Sequence, residues 1–452
     1  MIKPIAHNIK DKKITIIGYG ISGYGAAKLA LYLGAKIFIS DKGNINLKND
    51  LKNKIEFEEG VHSSKCYNCD LAIVSPGINT DNLFFNTFKK KNIPLISEIE
   101  FASWFSRSTI IGITGSNGKS TSVSLLYNIL NGKDRYTYLG GNIGKSFSLN
   151  VLDEIINDKK NPIHILELSS FQLEKIKNFK PSIACILNLS NDHLDRYSSQ
   201  QEYFDAKKNI LKNLDENCYF IFNKKNKKNY ANYLTNDVKK IEFGINSDSA
   251  NYHFIKDSII EKKTKKNIID CNKIKLIGKH NIENILVCIE IAKILKIDIE
   301  KAVNTIYDFK PLEHRMEKIS IANNITFIND SKSTNPDSAI QAILCSKKRT
   351  ILILGGYSKG EINYKKVFNF SSNNIEHIIC YGNEGEVIYR QLKKIFSCKY
   401  IKDFEQATIN AIKLAKLDYR VLLSPACSSF DQFKNFEERG EKFKKIIKNY
   451  YS

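Results

Sequence analysis

The stretch Gly112–Thr121, GITGSNGKST, constrains the fold of this chain more than any other feature. It follows the apolar, β-branched run STIIGIT and precedes STSVSLLYNIL, whose apolar spacing predicts a helix. Backbone N–H groups of such a glycine-rich turn can surround phosphates, and the helix start adds its positive end. Lys119 can contact β- and γ-phosphates, and the hydroxyl of Ser120 or Thr121 can reach Mg²⁺. The stretch therefore predicts an ATP site between a strand and its following helix.

The spacing inside this loop departs from the usual pattern. Five residues separate Gly112 from Gly118, where the common phosphate loop has four. We interpret the stretch as a variant phosphate loop whose backbone cradle includes Gly115, Ser116, Asn117 and Gly118. A glycine-rich turn without a ligand is the alternative, and the combination of strand, helix and Lys-Ser-Thr disfavours it.

A second glycine-rich loop lies near the start of the chain. Gly18, Gly20 and Gly23 form G-x-G-x-x-G directly after a strand-like run, and Asp41 ends the next such run. Taken alone, this pattern is typical of a dinucleotide site, so an NAD-dependent enzyme is one interpretation. The same geometry can hold any diphosphate at a helix N-terminus, so a site for a UDP-sugar is another interpretation. A tight strand-to-helix turn without a ligand also stays open.

The alternation of strands and helices occurs in three successive blocks. Strand-like runs such as KKITIIGYG, STIIGIT and RTILILGG are each followed by a segment with helical spacing. This order is typical of parallel sheets in an α/β protein. We predict three domains at residues 1–107, 108–311 and 312–452, the outer two Rossmann-like and the middle one of the phosphate-loop ATPase type. The lysine- and asparagine-rich segment from Cys218 to Cys271 is predicted to be an irregular β insertion.

Composition and charge exclude several other classes of protein. No run of 18 apolar residues occurs, and the first residues carry no apolar signal core, so we expect a cytoplasmic protein without membrane association. The net charge of +21 comes mostly from lysines spread along the chain, without an RNA-binding signature. We therefore expect no nucleic-acid partner and favour an acidic, phosphate-bearing substrate. Cys66 and Cys69 form a single C-x-x-C, which is a weak indication of zinc or redox use.

Taken together, the motifs resemble those of the Mur ligases over essentially the whole chain. The motifs, in order, are GYGISG, SPGI, GITGSNGKST, GGNIG, LELSSFQLE, NDHLDRY, AKKN, KHNIEN, HR, NDSKSTN, LGGYSKG and SPACSSFDQFKNFEERG. The resemblance is greatest to the branch that adds D-glutamate to UDP-N-acetylmuramoyl-L-alanine in peptidoglycan precursor synthesis. It implies that ATP phosphorylates a carboxylate and that an amine then attacks the acyl phosphate. It also implies a monomer whose first domain binds UDP, whose middle domain binds ATP and whose last domain binds the amino acid.

The resemblance assigns a catalytic and metal-binding set in the middle domain. Two Mg²⁺ ions are implied beside the phosphates, with oxygen ligands that suit a hard cation. Catalysis is assigned to Lys119, Glu167, His193 and Lys207, and metal binding to Ser120, Glu167, His193 and Lys207. Lys207 is implied to carry a carbamate made from CO₂, although Lys208 lies beside it and an ordinary charged lysine is the alternative. Asn142 resembles a contact on the substrate and phosphate side.

The resemblance also assigns the remaining ligand contacts. ATP binding is assigned to Gly115, Ser116, Asn117, Gly118, Lys119, Ser120, Thr121, Asn281, Asn284, His314, Arg315 and Asp330, the last fitting a ribose hydroxyl. UDP-substrate binding is assigned to Ile21, Ser22, Asp41, Ser75, Pro76, Gly77, Asn142 and His193. D-Glutamate binding is assigned to Lys332, Thr334, Lys359, Ser429, Phe430 and Phe436. For the two asparagines, polarity at a helix N-terminus is an equally simple explanation, as is core packing for Phe436.

One departure from the family pattern concerns the UDP site. Family members often carry Thr-Arg after the aspartate, whereas this chain has Lys42 and Gly43 after Asp41. Loss of an arginine removes a stacking and phosphate contact, so the uracil subsite is the least defined part of the assignment. A sibling Mur ligase or a folate-polyglutamylating enzyme is the nearest alternative, and NDSKSTN with SPACSSFDQF disfavours both. An NAD-dependent oxidoreductase or a nucleotide-binding regulator is the alternative from another class.

Overall fold

The protein is an α/β protein built on three largely parallel sheets, as predicted. The computed structural model describes residues 8–80, 82–132, 136–159, 161–193, 196–230, 237–245, 247–319, 324–346, 348–358, 360–368 and 374–452. No helix in these ranges is long and apolar enough to cross a membrane.

The first sheet has five parallel strands in the order β3-β2-β1-β4-β5. Its strands are β1 Lys13–Ile17, β2 Lys36–Asp41, β3 Glu56–Glu59, β4 Leu71–Val74 and β5 Leu95–Ser97. Its helices are α1 Ile21–Tyr32, α2 Leu83–Lys90 and α3 Glu98–Ser103. The central strands β1 and β4 are almost entirely buried and apolar, because helices cover both faces of a parallel sheet.

The second sheet has six parallel strands in the order β11-β10-β9-β6-β8-β7. Its strands are β6 Thr109–Thr114, β7 Thr137–Gly141, β8 Ile163–Glu167, β9 Ile183–Ile186, β10 Tyr219–Asn223 and β11 Lys239–Phe243. Its helices are α4 Lys119–Leu130, α5 Phe147–Ile156, α6 Ser170–Leu173 and α7 Gln200–Lys208. The strands β6, β8 and β9 are neighbours, so the residues after their carboxyl ends meet at one edge of the sheet.

The prediction of a separate β insertion from Cys218 to Cys271 was wrong in its first half. β10 and β11 extend the second sheet: β10 is apolar, almost fully buried and pairs with β9, and β11, whose two lysines are exposed, pairs with β10. Only β12 Tyr252–Ile255, β13 Ser258–Glu261 and β14 Asn267–Asp270 form a separate small sheet, in which β12 and β13 are antiparallel. Two helices follow it, α8 Lys279–Ile294 and α9 Ile299–Asp308.

The last sheet has six strands in the order β15-β16-β20-β17-β18-β19. Its strands are β15 Glu317–Lys318, β16 Thr326–Asn329, β17 Thr350–Gly355, β18 Ile375–Tyr381, β19 Cys398–Tyr400 and β20 Arg420–Ala426, and only β15 is antiparallel to its neighbour. Its helices are α10 Pro336–Leu344, α11 Tyr364–Val367, α12 Gly382–Leu392, α13 Phe404–Leu414 and α14 Phe436–Tyr451. Side chains of Asn335 and Asn435 cap α10 and α14.

Contacts divide the described residues into two compact units. The first unit takes its residues from Met1–Leu189, Gln201–Ile269 and Glu283–Ile306, and therefore holds the first two sheets. The second unit takes its residues from Ser190–Gln200, Asp270–Ile282 and Tyr307–Ser452, and holds the last sheet. The domain boundaries after residues 107 and 311 stay predictions.

Candidate active site

The glycine-rich loop joins β6 to α4 and has the backbone geometry of a phosphate cradle. Gly118 adopts φ +86° immediately before the helix, in the left-handed region that side chains disfavour. A Cβ atom at this position would lie 2.5 Å from Oδ1 of Asn284, one of the two asparagines predicted to bind ATP. The N–H groups in the first turn of α4 have no acceptor within the helix, so they are suited to an anion. Glycine at 118 therefore allows the loop to turn and Asn284 to approach it.

Replacing Gly118 by alanine is expected to weaken ATP binding at least about tenfold, because the left-handed backbone alone costs a side chain about 1–2 kcal/mol and Asn284 must also move. Titration calorimetry with ATP and Mg²⁺ measures the change. Gly132→Ala is the matched control, since a Cβ there meets only the ammonium end of the Lys301 side chain. Equal affinities for the two variants would mean that Gly118 does not shape the nucleotide site.

Asn188 holds the loop in place, and the sequence analysis did not identify it. Its carbonyl accepts from the N–H of Ser116 at 3.1 Å, and its side chain both accepts from Asn117 N at 2.8 Å and donates to Asn117 O at 2.9 Å. Asn188 follows β9, the neighbour of β6. A polar residue just after a buried strand was the signal in the sequence that could have pointed to it.

Two lysine ammonium groups contact the same loop carbonyl. Lys119 Nζ donates to Gly115 O at 2.7 Å and to Ser116 O at 2.9 Å. Lys207 Nζ donates to Gly115 O at 3.0 Å, and its side chain is only 1% exposed, against the ring of Tyr203. The structure thus brings together Lys119, Lys207 and the predicted cradle residues, and it concentrates positive charge where phosphates are predicted to bind.

Glu167 ends β8, beside β6, and one of its carboxylate oxygens has no hydrogen-bond partner in the described ranges. Its Oε1 accepts from Asn142 Nδ2 at 3.0 Å, and its backbone carbonyl accepts from Asn142 N at 2.8 Å. Its Oε2 is buried, and no partner for it occurs in the described ranges. A buried carboxylate oxygen without a hydrogen bond or cation is unfavourable. The hydroxyl of Thr121 is buried in the same way, and Ser120 is also buried. This donor set fits Mg²⁺.

A cavity of about 1020 Å³ lies among the residues of the first sheet and its loops. It is lined by all six residues assigned to UDP binding in the first domain: Ile21, Ser22, Asp41, Ser75, Pro76 and Gly77. The Asp41 carboxylate accepts from Tyr19 N at 2.6 Å and from Gly43 N at 2.8 Å. His62 and Phe84, which the sequence analysis did not identify, also line the cavity, and their rings stack.

In the second unit, a cavity of about 440 Å³ brings two predicted residues together. His193 and Thr334 both line it, beside Asp192 and Asn335. Asn335 Nδ2 donates to Asp192 Oδ2 at 3.1 Å, so the segment that carries His193 is tied to the loop that carries Thr334. His193 Nε2 lies 3.8 Å from Asp192 Oδ2. The cavity therefore combines acidic, amide and imidazole groups at one place.

Of the other residues predicted at the amino-acid site, Lys332 contacts Phe436, at the start of α14. Lys332 Nζ lies 5.2 Å from the centre of the Phe436 ring, which is within range of a cation–π contact, and the ring also contacts His314 edge to face. Ser429 is buried, whereas the adjacent Phe430 is 69% exposed. Lys359 lies outside the described residues.

Two residues that were predicted to complete the nucleotide site, Asp330 and Asn281, form hydrogen bonds to other groups of the protein. Asp330 is buried, and its carboxylate accepts from Ser333, from Ser424 Oγ at 2.9 Å and from Met316 N at 3.1 Å. Burial raises the pKa of Asp330, while the charge of Arg315 opposes the shift. Asn281 Nδ2 donates to Ile277 O at 2.7 Å. The ribose contact of Asp330 therefore stays a prediction.

Arg439 organises the carboxyl edge of the last sheet and was also not singled out from the sequence. Its guanidinium is fully buried and donates to Ser331 Oγ and O, to the Tyr381 hydroxyl, and to the carbonyl oxygens of Cys427 and Ser428. Ser331 precedes Lys332, and Ser428 precedes the predicted Ser429. One side chain therefore fixes the loops that carry two residues of the predicted amino-acid site.

Comparison with known families gives matches to three models along the chain. The MurD N-terminal domain matches residues 13–83, the Mur ligase middle domain residues 113–292, and the Mur ligase glutamate ligase domain residues 314–427. These segments contain, in order, most residues that line the 1020 Å³ cavity, the glycine-rich loop with Glu167, and the Lys332 segment.

Relatives with curated names align with nearly the whole chain. A UDP-N-acetylmuramoylalanine--D-glutamate ligase of Christiangramia forsetii is 37% identical over 449 residues, covering 97% of this chain and 99% of the relative. One of Bacteroides thetaiotaomicron is 37% identical with the same coverage, and one of Thermoanaerobacter pseudethanolicus is 36% identical over 467 residues, covering 97% and 98%.

Solved structures share the fold at low sequence identity. UDP-N-acetylmuramate-alanine ligase MurC of Thermotoga maritima superposes with a TM-score of 0.61 at 18% identity, covering 97% of this chain and all of that one. MurF ligase of the same organism, solved in complex with ADP, gives a TM-score of 0.61 at 18% identity and covers 98% and 96%. Both likenesses concern the fold.

Proposed function

The chain belongs to the Mur ligase family, and on that premise we propose that it joins D-glutamate to UDP-N-acetylmuramoyl-L-alanine with hydrolysis of ATP to ADP and phosphate, in peptidoglycan precursor synthesis. The observation that carries the proposal is the near full-length similarity, at 37% identity, to relatives that bear the corresponding name. The chemistry of the loop and of Glu167 suits the ATP-dependent part of this reaction.

The reaction has a simple chemical requirement. A carboxylate is a poor electrophile, because oxide does not leave; transfer of the γ-phosphoryl group of ATP to the carboxylate gives an acyl phosphate, whose phosphate leaves readily. The amine of D-glutamate then attacks the carbonyl carbon and loses a proton, giving the amide and phosphate. Both steps bring anions together, so the protein must neutralise charge and align the reacting groups.

In this proposal the first unit holds the phosphates and the carboxylate. Lys119 and the first-turn N–H groups of α4 bind the β- and γ-phosphates, and Asn188 keeps the loop in shape. Glu167, Ser120 and Thr121 supply oxygen atoms for Mg²⁺, which would neutralise phosphate charge when bound. Two such ions, with His193 as a ligand of one, are part of the proposal. The 1020 Å³ cavity takes the UDP moiety of the substrate.

We assign D-glutamate recognition to the second unit. Lys332, with Lys359 and the Ser429 hydroxyl, offers charge and hydrogen bonds that suit a dicarboxylate. The Lys332 ammonium lies 5.2 Å from the centre of the Phe436 ring. The nucleoside of ATP is assigned to Asn281, Asn284, His314, Arg315 and Asp330. Since ATP and nucleotide sugars are cytoplasmic metabolites, we place the enzyme in the cytoplasm, acting as a monomer.

Lys207 is proposed to carry a carbamate, formed when its neutral amine attacks CO₂ and releases a proton. Unmodified, its ammonium and that of Lys119 contact the same carbonyl and repel each other. A carbamate would replace one of these positive charges by a negative one and would offer two further oxygens to a cation. The side chain is buried against Tyr203, so the modified group would be shielded from water.

Replacing Lys207 by alanine is expected to lower the rate of phosphate release by about a hundredfold, because a charged group at the phosphates is lost. Short-chain carboxylates such as acetate should restore part of this rate by occupying the vacated space. Lys208→Ala is the comparison, because Lys208 forms an ion pair with Asp205 at 2.6 Å and should give no restoration. If carboxylates leave the Lys207 variant inactive, the carbamate proposal fails.

The proposed activity is tested by incubating the full chain with ATP, Mg²⁺ and UDP-N-acetylmuramoyl-L-alanine. Phosphate release should depend on added D-glutamate, and a product heavier by one glutamate residue should appear in mass spectrometry. Phosphate release that does not depend on D-glutamate, or turnover of NADH in place of phosphate release, would refute the proposal.

A further inference from the structure

The cavity assigned to the UDP moiety contains a histidine whose ring is firmly held. The rings of His62 and Phe84 stack with centroids 5.1 Å apart and planes 23° apart. Phe84 lies in α2 and packs in turn against Tyr67 and Phe88, which belong to the buried aromatic cluster beneath the first sheet. Because the platform under it is fixed, the His62 ring is presented to the cavity in a defined orientation.

Hydrogen bonds determine which nitrogen of His62 carries the proton. Nδ1 lies 2.7 Å from Ser40 Oγ. This hydroxyl also lies 2.8 Å from a Glu58 carboxylate oxygen and 3.2 Å from the Val61 carbonyl. Although burial opposes it, hydrogen bonds from Ser63, Ser40 and Cys66 lower the pKa of Glu58, so this carboxylate is ionised. The Glu58 carboxylate and the Val61 carbonyl can only accept hydrogen bonds. The Ser40 hydroxyl therefore donates its one proton to them and accepts a hydrogen bond from Nδ1–H of His62.

The second nitrogen of His62 is consequently a hydrogen-bond acceptor. Burial, with the nearby charge of Lys42, lowers the pKa of His62 below its usual value, so the ring is neutral at pH 7. In a neutral ring with Nδ1 protonated, Nε2 carries a lone pair. In the part of the chain that the structure describes, Nε2 makes no hydrogen bond to protein. The cavity therefore contains a neutral acceptor that is available to a ligand.

An acceptor of this kind distinguishes between the pyrimidine bases. Uracil has an N–H at position 3 between two carbonyl groups, whereas cytosine has a bare nitrogen there, which would face the lone pair of Nε2. Asp41 is another acceptor that lines the cavity, and each of its two oxygens already receives an N–H group, from Tyr19 or from Gly43. Gly43 offers no side chain to stack on a base. Lys42 also lines the cavity and can donate to a base carbonyl or to the diphosphate.

We propose that His62, braced by Phe84, is the residue that selects uracil in this cavity, its Nε2 accepting the imide N–H of the base. This rests on the proposed function, since it takes the 1020 Å³ cavity as the site of the UDP moiety. It assigns base recognition to a ring on the segment after β3, away from the glycine-rich turn after β1. The preference for UDP over CDP then depends on Nε2 of His62.

The test compares UDP and CDP binding to the full-length protein by titration calorimetry. The wild-type protein is expected to prefer UDP, and His62→Phe, which keeps a ring against Phe84 but lacks the acceptor, should lose about five- to tenfold in UDP affinity with little change for CDP. Phe84→Leu should reduce the preference in part. His377→Phe is the matched control, because His377 also contacts a serine through Nδ1, at 2.8 Å from Ser397 Oγ, but lies in the second unit.

Other outcomes separate this inference from the function on which it rests. If the wild-type protein prefers UDP and His62→Phe keeps that preference, or loses UDP and CDP affinity equally, His62 does not select the base. Loss of the preference in Asp41→Asn alone would assign selection to Asp41 and overturn the inference. Binding of neither nucleotide by the wild-type protein would overturn the placement of UDP in this cavity as well. Melting temperatures verify that each variant is folded.

Discussion

Replacing Glu167 by glutamine is expected to lower D-glutamate-dependent phosphate release by about a thousandfold, the effect of removing one strong electrostatic contribution to a charged transition state. The substitution preserves the size of the side chain and can preserve the contact with Asn142. It removes the negative charge and one of the two oxygen atoms. Because Oε2 is buried and unpartnered within the described ranges, its natural partner is a cation.

Two further measurements separate this explanation from a structural defect. The Mg²⁺ concentration for half-maximal rate should rise sharply in Glu167→Gln, and Mn²⁺ binding followed by electron paramagnetic resonance should weaken. Without metal, the variant should be at least as stable to heat as the wild-type protein, because an unpaired buried charge is gone. Glu216→Gln, at an exposed position in the same unit, should change neither the metal dependence nor the thermal stability. A Glu167 variant with near-normal rate and metal dependence would contradict the assigned role.

Replacing Arg439 by methionine is expected to lower the free energy of unfolding by at least about 3 kcal/mol, because several buried carbonyl groups would lose a charged donor. The guanidinium is fully buried and donates to five groups on two loops and one strand end. Lysine is not a substitute, since one ammonium cannot span these acceptors. Urea unfolding of the variant measures the change.

A milder variant and a control make this prediction specific. Arg439→Lys should fold but raise KM for D-glutamate more than it lowers kcat, because the loops before Lys332 and Ser429 are less well held. Arg390→Met is the matched control, since Arg390 is 71% exposed and, among the described residues, pairs only with Glu386 on its own helix; it should stay within about 0.5 kcal/mol of wild type. A loss below 1 kcal/mol in Arg439→Met would show that the buried network is not a main determinant of stability.

Local patterns in the sequence were enough to predict the fold class and the phosphate loop. The run STIIGIT contains β6, and the helix predicted over STSVSLLYNIL is α4, which begins one residue earlier, at Lys119. The resemblance to the Mur ligases is confirmed by relatives that align with 97% of the chain. These features depend on residues close together in the chain, and local periodicity and turn chemistry can reveal them.

The residues that hold the site in place could not be predicted in the same way. Asn188 contacts a residue 71 positions away, and Arg439 reaches Ser331 across 108 positions. Apart from the position of Asn188 just after a buried strand, no local pattern distinguishes them from other polar residues, because their role depends on which strands become neighbours. For the same reason β10 and β11 were assigned to an insertion, although they extend the second sheet. The tautomer of His62 follows only from Ser40 and Glu58, on two other strands.

The central claim is that the chain forms an amide with D-glutamate, and a panel of amino acids tests it most directly. The full-length protein is incubated with ATP, Mg²⁺ and UDP-N-acetylmuramoyl-L-alanine, and phosphate release is followed with D-glutamate, L-glutamate, L-lysine, meso-diaminopimelate or L-alanine. The account predicts release, and a product of the matching mass, with D-glutamate alone. Equal rates with all five, or a clear preference for any of the other four, would contradict it.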